Sequence, residues 1–309
     1  MSYILVVGPT PAVQRRITLG ALRHNEVNRA LEVEVLASGK GINCARAVKR
    51  LGAHAETLLL LGGAPGAWIR AELRREHIPL HTVETACPTR TCCTIVEKGS
   101  GGVTEIVEKA GEVCAGTETE MLSQVDLLAR KAAVIVCIGT LPLGLGVGFY
   151  ADIAERAAHH GIPVIVDAQG QHLVAALPCR PFLVKPNRYE IGAATGMDTS
   201  TEEGLFQAVA RLHELGAQNV VVTDGPRGVF FSDGNSMSVF QPPCVHARNP
   251  IGSGDSLAAG IAVGLARGGS IRDAVLHGIA CGVANAMGDG YGRIDPATVT
   301  SCLPCIKPV

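Results

Sequence analysis

The chain has 309 residues, 47% of them hydrophobic and 18% charged, enough apolar material for a large core in a single α/β domain. A formal net charge of -1 and the lack of any long basic block argue against a nucleic-acid or anionic-membrane surface and leave a small molecule as the expected partner. The opening MSYILVVGP has no basic segment, and its apolar run stops at Gly8 and Pro9, too early for a signal or a spanning helix, so a cytoplasmic location is expected.

The first element is a short apolar run, ILVVG at 4–8, which reads as a buried parallel strand. Residues 13–36 follow, alternating and β-rich, with no helical stripe. Next comes SGKGINCARAVKRLG at 38–52, where glycines flank Lys40 and an amphipathic helix begins. A plain strand-to-helix turn explains such glycines as readily as a ligand does. The same helix start, however, aims backbone donors and Asn43 at whatever lies above the sheet, which suits a hydroxyl-rich substrate.

A second strand, TLLLLG at 57–62, precedes the helix AWIRAELRREH, and a second alternating stretch covers 88–110. The two irregular stretches predict a small sheet made from separated insertions, lying as a lid over the carboxyl edge of the main sheet. VIVCIG at 134–139, the helix FYADIAERAAHHG and VIVDA at 164–168 continue the βαβ rhythm. At 182–190, FLVKPNRYE runs out of a strand into Lys185, Asn187 and Glu190. A proline turn accounts for it structurally; functionally it supplies a cation for phosphate and oxygen ligands for a hydrated Mg²⁺.

The helix LFQAVARLHELG and the strand VVVTDG at 220–225 lead into TDGPRGVFF, a hairpin pattern in which Thr223 and Gly225 are placed to approach nucleotide phosphates. Last comes NPIGSGDSLAAG at 249–260, with three small residues and Asp255 at the mouth of an apolar helix. Gly252, Ser253 and Gly254 present amides to an anion, and Asp255 stands beside them as a base; a capped helix with a first-turn carboxylate is the plainer alternative. No Walker A sequence is present, so phosphoryl transfer here needs another cradle. The eleven cysteines, many inside apolar runs, read mainly as buried reduced thiols, and the lone pair Cys302 and Cys305 lacks partners for a zinc site. With no internal repeat and no linker, residues 1–309 form one doubly wound, mostly parallel α/β domain flanked by helices, with a lid.

These motifs, in this order and spacing, resemble the PfkB (ribokinase-like) family of carbohydrate kinases over nearly the whole chain, GKGIN standing for its first signature and NPIGSGDSLAAG for its second. EVNRA at 26–30, TRT at 89–91, TEI at 104–106 and GTLPLG at 139–144 are most similar to its phosphosugar branch, the 1-phosphofructokinase and tagatose-6-phosphate kinase type. The resemblance implies ATP- and Mg²⁺-dependent transfer of the γ-phosphate to a hydroxyl of a hexose phosphate, with Asp255 as base and the amides of Gly252, Ser253 and Gly254 as anion hole. It implies that Lys185, Asn187, Thr223, Gly225, Gly228 and Asn285 bind ATP, and that Glu190 and Asn187 hold Mg²⁺ through water. On the acceptor side it implies Gln14, Ser38, Gly39, Lys40, Asn43 and Arg90, the arginine gripping a substrate phosphate. A homodimer through the lid follows from the same likeness.

The departures from the family pattern gather on the acceptor side. TPAVQ replaces N-P-A-[IL]-D, so Thr10 stands for asparagine and Gln14 for aspartate; Ser38 replaces a glycine, and Cys92 an asparagine. An amide is both donor and acceptor where a carboxylate only accepts, so the acceptor sugar is expected to differ while the chemistry is kept. Two other readings remain, a kinase of an unphosphorylated sugar or nucleoside, and a sugar- or nucleotide-binding regulator without catalysis.

Overall fold

The computed structural model describes residues 2–309 as a main sheet of ten strands, with a separate sheet of four. In chain order the strands are β1 (Tyr3–Val7), β2 (Ala12–Leu19), β3 (Glu32–Ser38), β4 (Ala55–Leu61), β5 (Leu80–Glu84), β6 (Thr91–Glu97), β7 (Val103–Val107), β8 (Ala132–Ile138), β9 (Val164–Asp167), β10 (Leu183–Val184), β11 (Val220–Thr223), β12 (Val229–Ser232), β13 (Met237–Gln241) and β14 (Lys307–Pro308). The main sheet runs β14-β13-β12-β11-β10-β9-β8-β1-β4-β5. It is parallel from β5 to β11 and antiparallel through β12, β13 and β14.

The helices are α1 (Lys40–Arg50), α2 (Gly63–Arg75), α3 (Thr117–Ala129), α4 (Phe149–Ala158), α5 (Gln171–Ala176), α6 (Arg188–Thr195), α7 (Glu202–Glu214), α8 (Ser253–Ala266), α9 (Ile271–Met287) and α10 (Pro296–Cys302). Strand alternation sends Ile4 and Val6 to one face, against Ile42 of α1, Ile69 of α2, Ile261 of α8 and Ile279 of α9. Leu5 and Val7 face the other way, onto Met121 of α3, Ile153 of α4, Ile191 of α6 and Leu212 of α7. Both faces of the central strands are thus covered, which is why those strands read as unbroken apolar runs.

The four-stranded sheet runs β3-β2-β6-β7 and comes from the two stretches that broke the sequence rhythm. Its strands begin and end within a few residues of the expected 13–36 and 88–110. β2 pairs parallel with β6 and antiparallel with β3, so the lid is stitched from distant parts of the chain. Of the eleven cysteines, all are free, but only five are buried; Cys114, Cys244 and Cys305 are exposed, which corrects the expectation that most are core thiols. Those three lie in loops or at a turn outside the apolar runs.

Buried Arg46 joins the parts of this frame. From α1 its guanidinium grips Glu76 at the end of α2, at 2.6 and 2.8 Å, and also donates to the carbonyls of Ala37 on β3 and Tyr291. One planar, five-donor side chain therefore fixes the lid's root, α1, α2 and the loop after α9 in a single arrangement.

Candidate active site

The order of strands reverses at β1, since the chain passes from β1 to β4 and β5 on one side and to β8 and β9 on the other. Ligands in open α/β sheets bind beyond the carboxyl ends of strands at such a reversal. Here the loops after β1 and β8 are joined by Thr10, whose Oγ1 donates to the Thr140 carbonyl at 3.0 Å. The starts of α1 and α8 converge beside them, and each brings its side chains to the crevice.

Asp255 lies in the first turn of α8 with only 5% of its surface exposed. Asn43 of α1 donates to its Oδ2 at 2.8 Å, and Ser38 donates to Asn43 Oδ1 at 3.1 Å, which fixes the amide with its NH₂ toward the carboxylate. Oδ1 of Asp255 takes part in no hydrogen bond among the described residues. Burial pushes the carboxyl up to about 6, against the pull of Lys40, the Asn43 hydrogen bond and Lys185 in the other direction. A carboxylate so placed can take a proton near neutral pH, with one oxygen free to do it.

The turn before it is shaped for an anion. Gly252 has φ 85°, a left-handed conformation that disfavours a side chain, and a β-carbon there would lie 3.1 Å from the main chain of Tyr291. Gly254 faces the ammonium of Lys185, 3.4 Å from where its β-carbon would be. Asn285 supports the turn from behind. It is fully buried, donates to Ile251 O and Ser253 Oγ, and accepts from Ser256 Oγ and Gly292 N, so an ATP contact from it would exchange one of these bonds.

Sequence reasoning missed Asp167, at the end of β9, because nothing in VIVDA distinguishes it from any strand end. In the structure it is the buried anchor of two expected site residues. Lys40 Nζ donates to its Oδ1 at 3.1 Å, and Lys185 Nζ lies 3.0 Å from Oδ2. The Lys185 contact is off the line for a hydrogen bond, so Oδ2 is a buried oxygen with a charge beside it and no donor aligned on it. Burial alone would raise the carboxyl; the two ammonium groups more than offset it and hold Asp167 below the usual carboxylate range. Lys40 is in turn held above its ordinary value, because Asp167, Asp255 and Glu190 together outweigh its desolvation.

On the other side of the crevice, Asn187 and Glu190 form a reciprocal cap at the start of α6. Asn187 Oδ1 accepts from Glu190 N and Glu190 Oε2 accepts from Asn187 N, each at 2.8 Å. One lone pair of the Asn187 oxygen is thus used in capping the helix, and Glu190 Oε1 takes part in no hydrogen bond among the described residues. No group of three or more His, Cys, Asp or Glu among the described residues makes an all-protein metal cage. Glu190 Oε1 and a second lone pair on Asn187 Oδ1 fit an ion that keeps its waters and is held mainly by phosphate.

A parallel bridge joins Asn187 to Thr223, beside a tight turn at Gly225–Arg227 and buried Gly228. Arg188 locks the two loops together, its Nε 2.6 Å from Asp224. Lys185 stands apart from this group, with Gly254 and Asp167. Gly39 carries φ 105° at the start of α1, against Thr10 and Pro11. Gln14 of β2 is buried and donates to Thr94 Oγ1 at 2.7 Å, leaving its carbonyl oxygen unengaged. Arg90 donates to the carbonyls of Thr10 and Glu108, both at 3.0 Å; among the described residues its Nε has no partner and no carboxylate pairs with it.

A doubly wound sheet with a lid, a helix start with the Gly252 and Gly254 amides unengaged among the described residues, and a buried carboxylate beside them suit a phosphotransferase acting on an alcohol group. The chain belongs to the PfkB family of carbohydrate kinases, which it matches over residues 1–293. A crystal structure of phosphofructokinase-2 from Escherichia coli in complex with potassium superposes with a TM-score of 0.91 at 26% identity, covering 99% of each chain. Ribokinase from Arabidopsis thaliana, solved with ribose and ATP, shares the fold at a TM-score of 0.74 and 21% identity, with 98% of each chain covered. ATP is the phosphate donor that membership of this family implies.

The raised pKa of Asp255 makes a stability prediction. Its folded value of about 6 exceeds the unfolded one, so the folded protein binds the proton more tightly and loses stability as pH climbs from about 4 to about 6. Asp255→Asn removes that penalty and is expected to melt higher than wild type at pH 7.5, with the gap closing toward pH 4. Melting curves at the two pH values check it, and an equal gap at both would contradict the burial argument.

Proposed function

We propose that the chain phosphorylates a hexose phosphate of the tagatose 6-phosphate or fructose 1-phosphate type, with ATP and Mg²⁺. The observation that carries this reading is Asp255, buried, near-neutral and free at Oδ1, in the first turn of the helix that opens with Gly252, Ser253 and Gly254.

The acceptor hydroxyl gives its proton to Asp255 Oδ1 as its oxygen forms a bond to the γ-phosphorus. The bond from that phosphorus to the bridging oxygen breaks, and ADP leaves with the electron pair. The amides of Gly252 and Gly254 and the Lys185 ammonium stabilise the charge on the transferring group, the Ser253 N–H being donated to the Pro250 carbonyl at 3.1 Å, and removing one such donor typically costs about 10²–10³ in rate. Glu190 and Asn187, through water, would hold the hydrated Mg²⁺, which neutralises phosphate charge when bound. Thr223, Gly225 and Gly228 line the nucleotide, while Gly39, Lys40, Asn43 and Gln14 face the sugar; Ser38 acts through Asn43.

A phosphorylated acceptor is favoured because Arg90 keeps an uncancelled charge beside the loops of Thr10 and Pro88. E. coli phosphofructokinase-2, similar to this chain, has been solved with fructose 6-phosphate. A non-catalytic regulator would have no use for a base held near neutrality. On one face of the lid, Val33, Val35 and Ile106 are exposed together, an apolar surface suited to the homodimer.

Four outcomes are expected. In a turnover assay over hexose phosphates, pentoses and nucleosides, a hexose phosphate gives the highest kcat/KM, falling about tenfold per pH unit below the Asp255 pKa. Asp255→Asn retains ATP binding by calorimetry and loses nearly all turnover; near-normal kcat would remove Asp255 as the base. Arg90→Ala raises KM for the acceptor far more than for ATP, and equal effects on both would count against a phosphate grip. Sedimentation of wild type and Val35→Lys tests the dimer, the variant moving to the monomer.

A further inference from the structure

Tyr291 is fully buried, yet it stands at φ 58°, between Gly290 and Gly292 at 77° and 78°. A bulky side chain rarely occupies this left-handed region, and such outliers persist where surrounding contacts over-determine the backbone, often at functional sites. Its contacts run to separate parts of the site. Its N–H donates to the Ile251 carbonyl at 2.8 Å, just before the Gly252 turn. Its carbonyl accepts from Arg46 of α1 at 2.6 Å, and its phenol donates to Thr94 Oγ1 on β6 at 3.3 Å.

Thr94 is the residue to which Gln14 donates, so both lone pairs of one lid hydroxyl are used, one by the acceptor side and one by Tyr291. The neighbours of Tyr291 repeat the pattern. Gly292 packs so tightly on Asn43 that a β-carbon would lie 2.0 Å from the Asn43 carbonyl oxygen. Arg293 donates to Glu34 on β3 at 2.7 Å. A short loop after α9 therefore touches the anion turn, the helix that orients Asp255, and two strands of the lid.

We propose that Tyr291 is a positioning residue that ties the lid to the anion turn, its hydroxyl acting through Thr94 and Gln14 so that a lid seated over the acceptor holds residues 252–254 in the transfer geometry. This rests on the reading of those amides as the anion hole. The role belongs to the hydroxyl and not to the ring, which only fills space.

The test uses the full-length enzyme with ATP and its best acceptor from the panel. Tyr291→Phe, which keeps the ring, is expected to lower kcat about three- to tenfold, the size of one neutral hydrogen bond, with KM for ATP and the melting temperature near wild type. Thr94→Val gives a comparable loss, Thr94→Ser restores kcat because it keeps the oxygen, and Tyr291→Phe with Thr94→Val is no slower than the slower single variant. An unchanged kcat in Tyr291→Phe, a Thr94→Ser as slow as Thr94→Val, or losses that multiply in the double variant would each overturn the link. Those results leave the kinase reading intact when wild type turns over; a wild type that transfers phosphate to no acceptor overturns both.

Discussion

The hydrogen bond from Asn43 to Asp255 is the constraint around which the site is arranged. The two residues are 212 positions apart, on helices that start at opposite ends of the chain, and they meet at 2.8 Å. Bringing them together requires α1 and α8 on the same face of the sheet with both N-termini at the carboxyl edge of the strands. The carboxylate must also be neither fully solvated nor fully isolated. Burial raises it, the Asn43 amide and the Lys40 and Lys185 charges lower it, and nearby Asp167 raises it again, for a net value of about 6. Ser38, at the start of the GKGIN motif, contributes by fixing the amide that makes the bond.

Charge in the crevice explains why a nucleotide is proposed to arrive with its divalent ion. Lys40 feels three carboxylates, those of Asp167, Asp255 and Glu190, and only Lys185 assists it in balancing them. An unaccompanied triphosphate would add repulsion to a site already short of positive charge. A cation that travels on the phosphates and meets Glu190 through water resolves this without an all-protein cage, consistent with the sparse donor set.

The alternation of buried strands and amphipathic helices was legible because both faces of the central sheet are covered, which forces apolar runs with sharp polar ends. The lid was legible as a failure of that rhythm. Less visible were β5, an edge strand with His81 and Thr82 in its middle, and α9, which is buried over much of its length and so carries no clear stripe. Glycine-rich helix starts announced the anion turn and the first motif. Asp167 gave no signal, since an aspartate ending a strand is commonplace and its two lysines come from distant loops. Asn187 and Asn285 were read as ligand contacts, and the structure adds a structural use for each that the sequence did not show: one caps α6 and the other braces residues 251–253. Side-chain amides serve backbone and ligand equally well, so residue type alone does not separate the two uses.

The way the lid is stitched together bears on how the chain reaches its native state. β2 and β6 are parallel neighbours, but β3, α1, β4, α2 and β5 all lie between them in the chain. Their register therefore closes a long loop, a step whose entropy cost is met only after the intervening α1, β4, α2 and β5 have condensed. β7, exposed at every residue, and β3, half uncovered, add little burial in return. The lid is thus the part of the molecule whose closure costs most entropy for the least burial, the combination from which low-stability units are drawn.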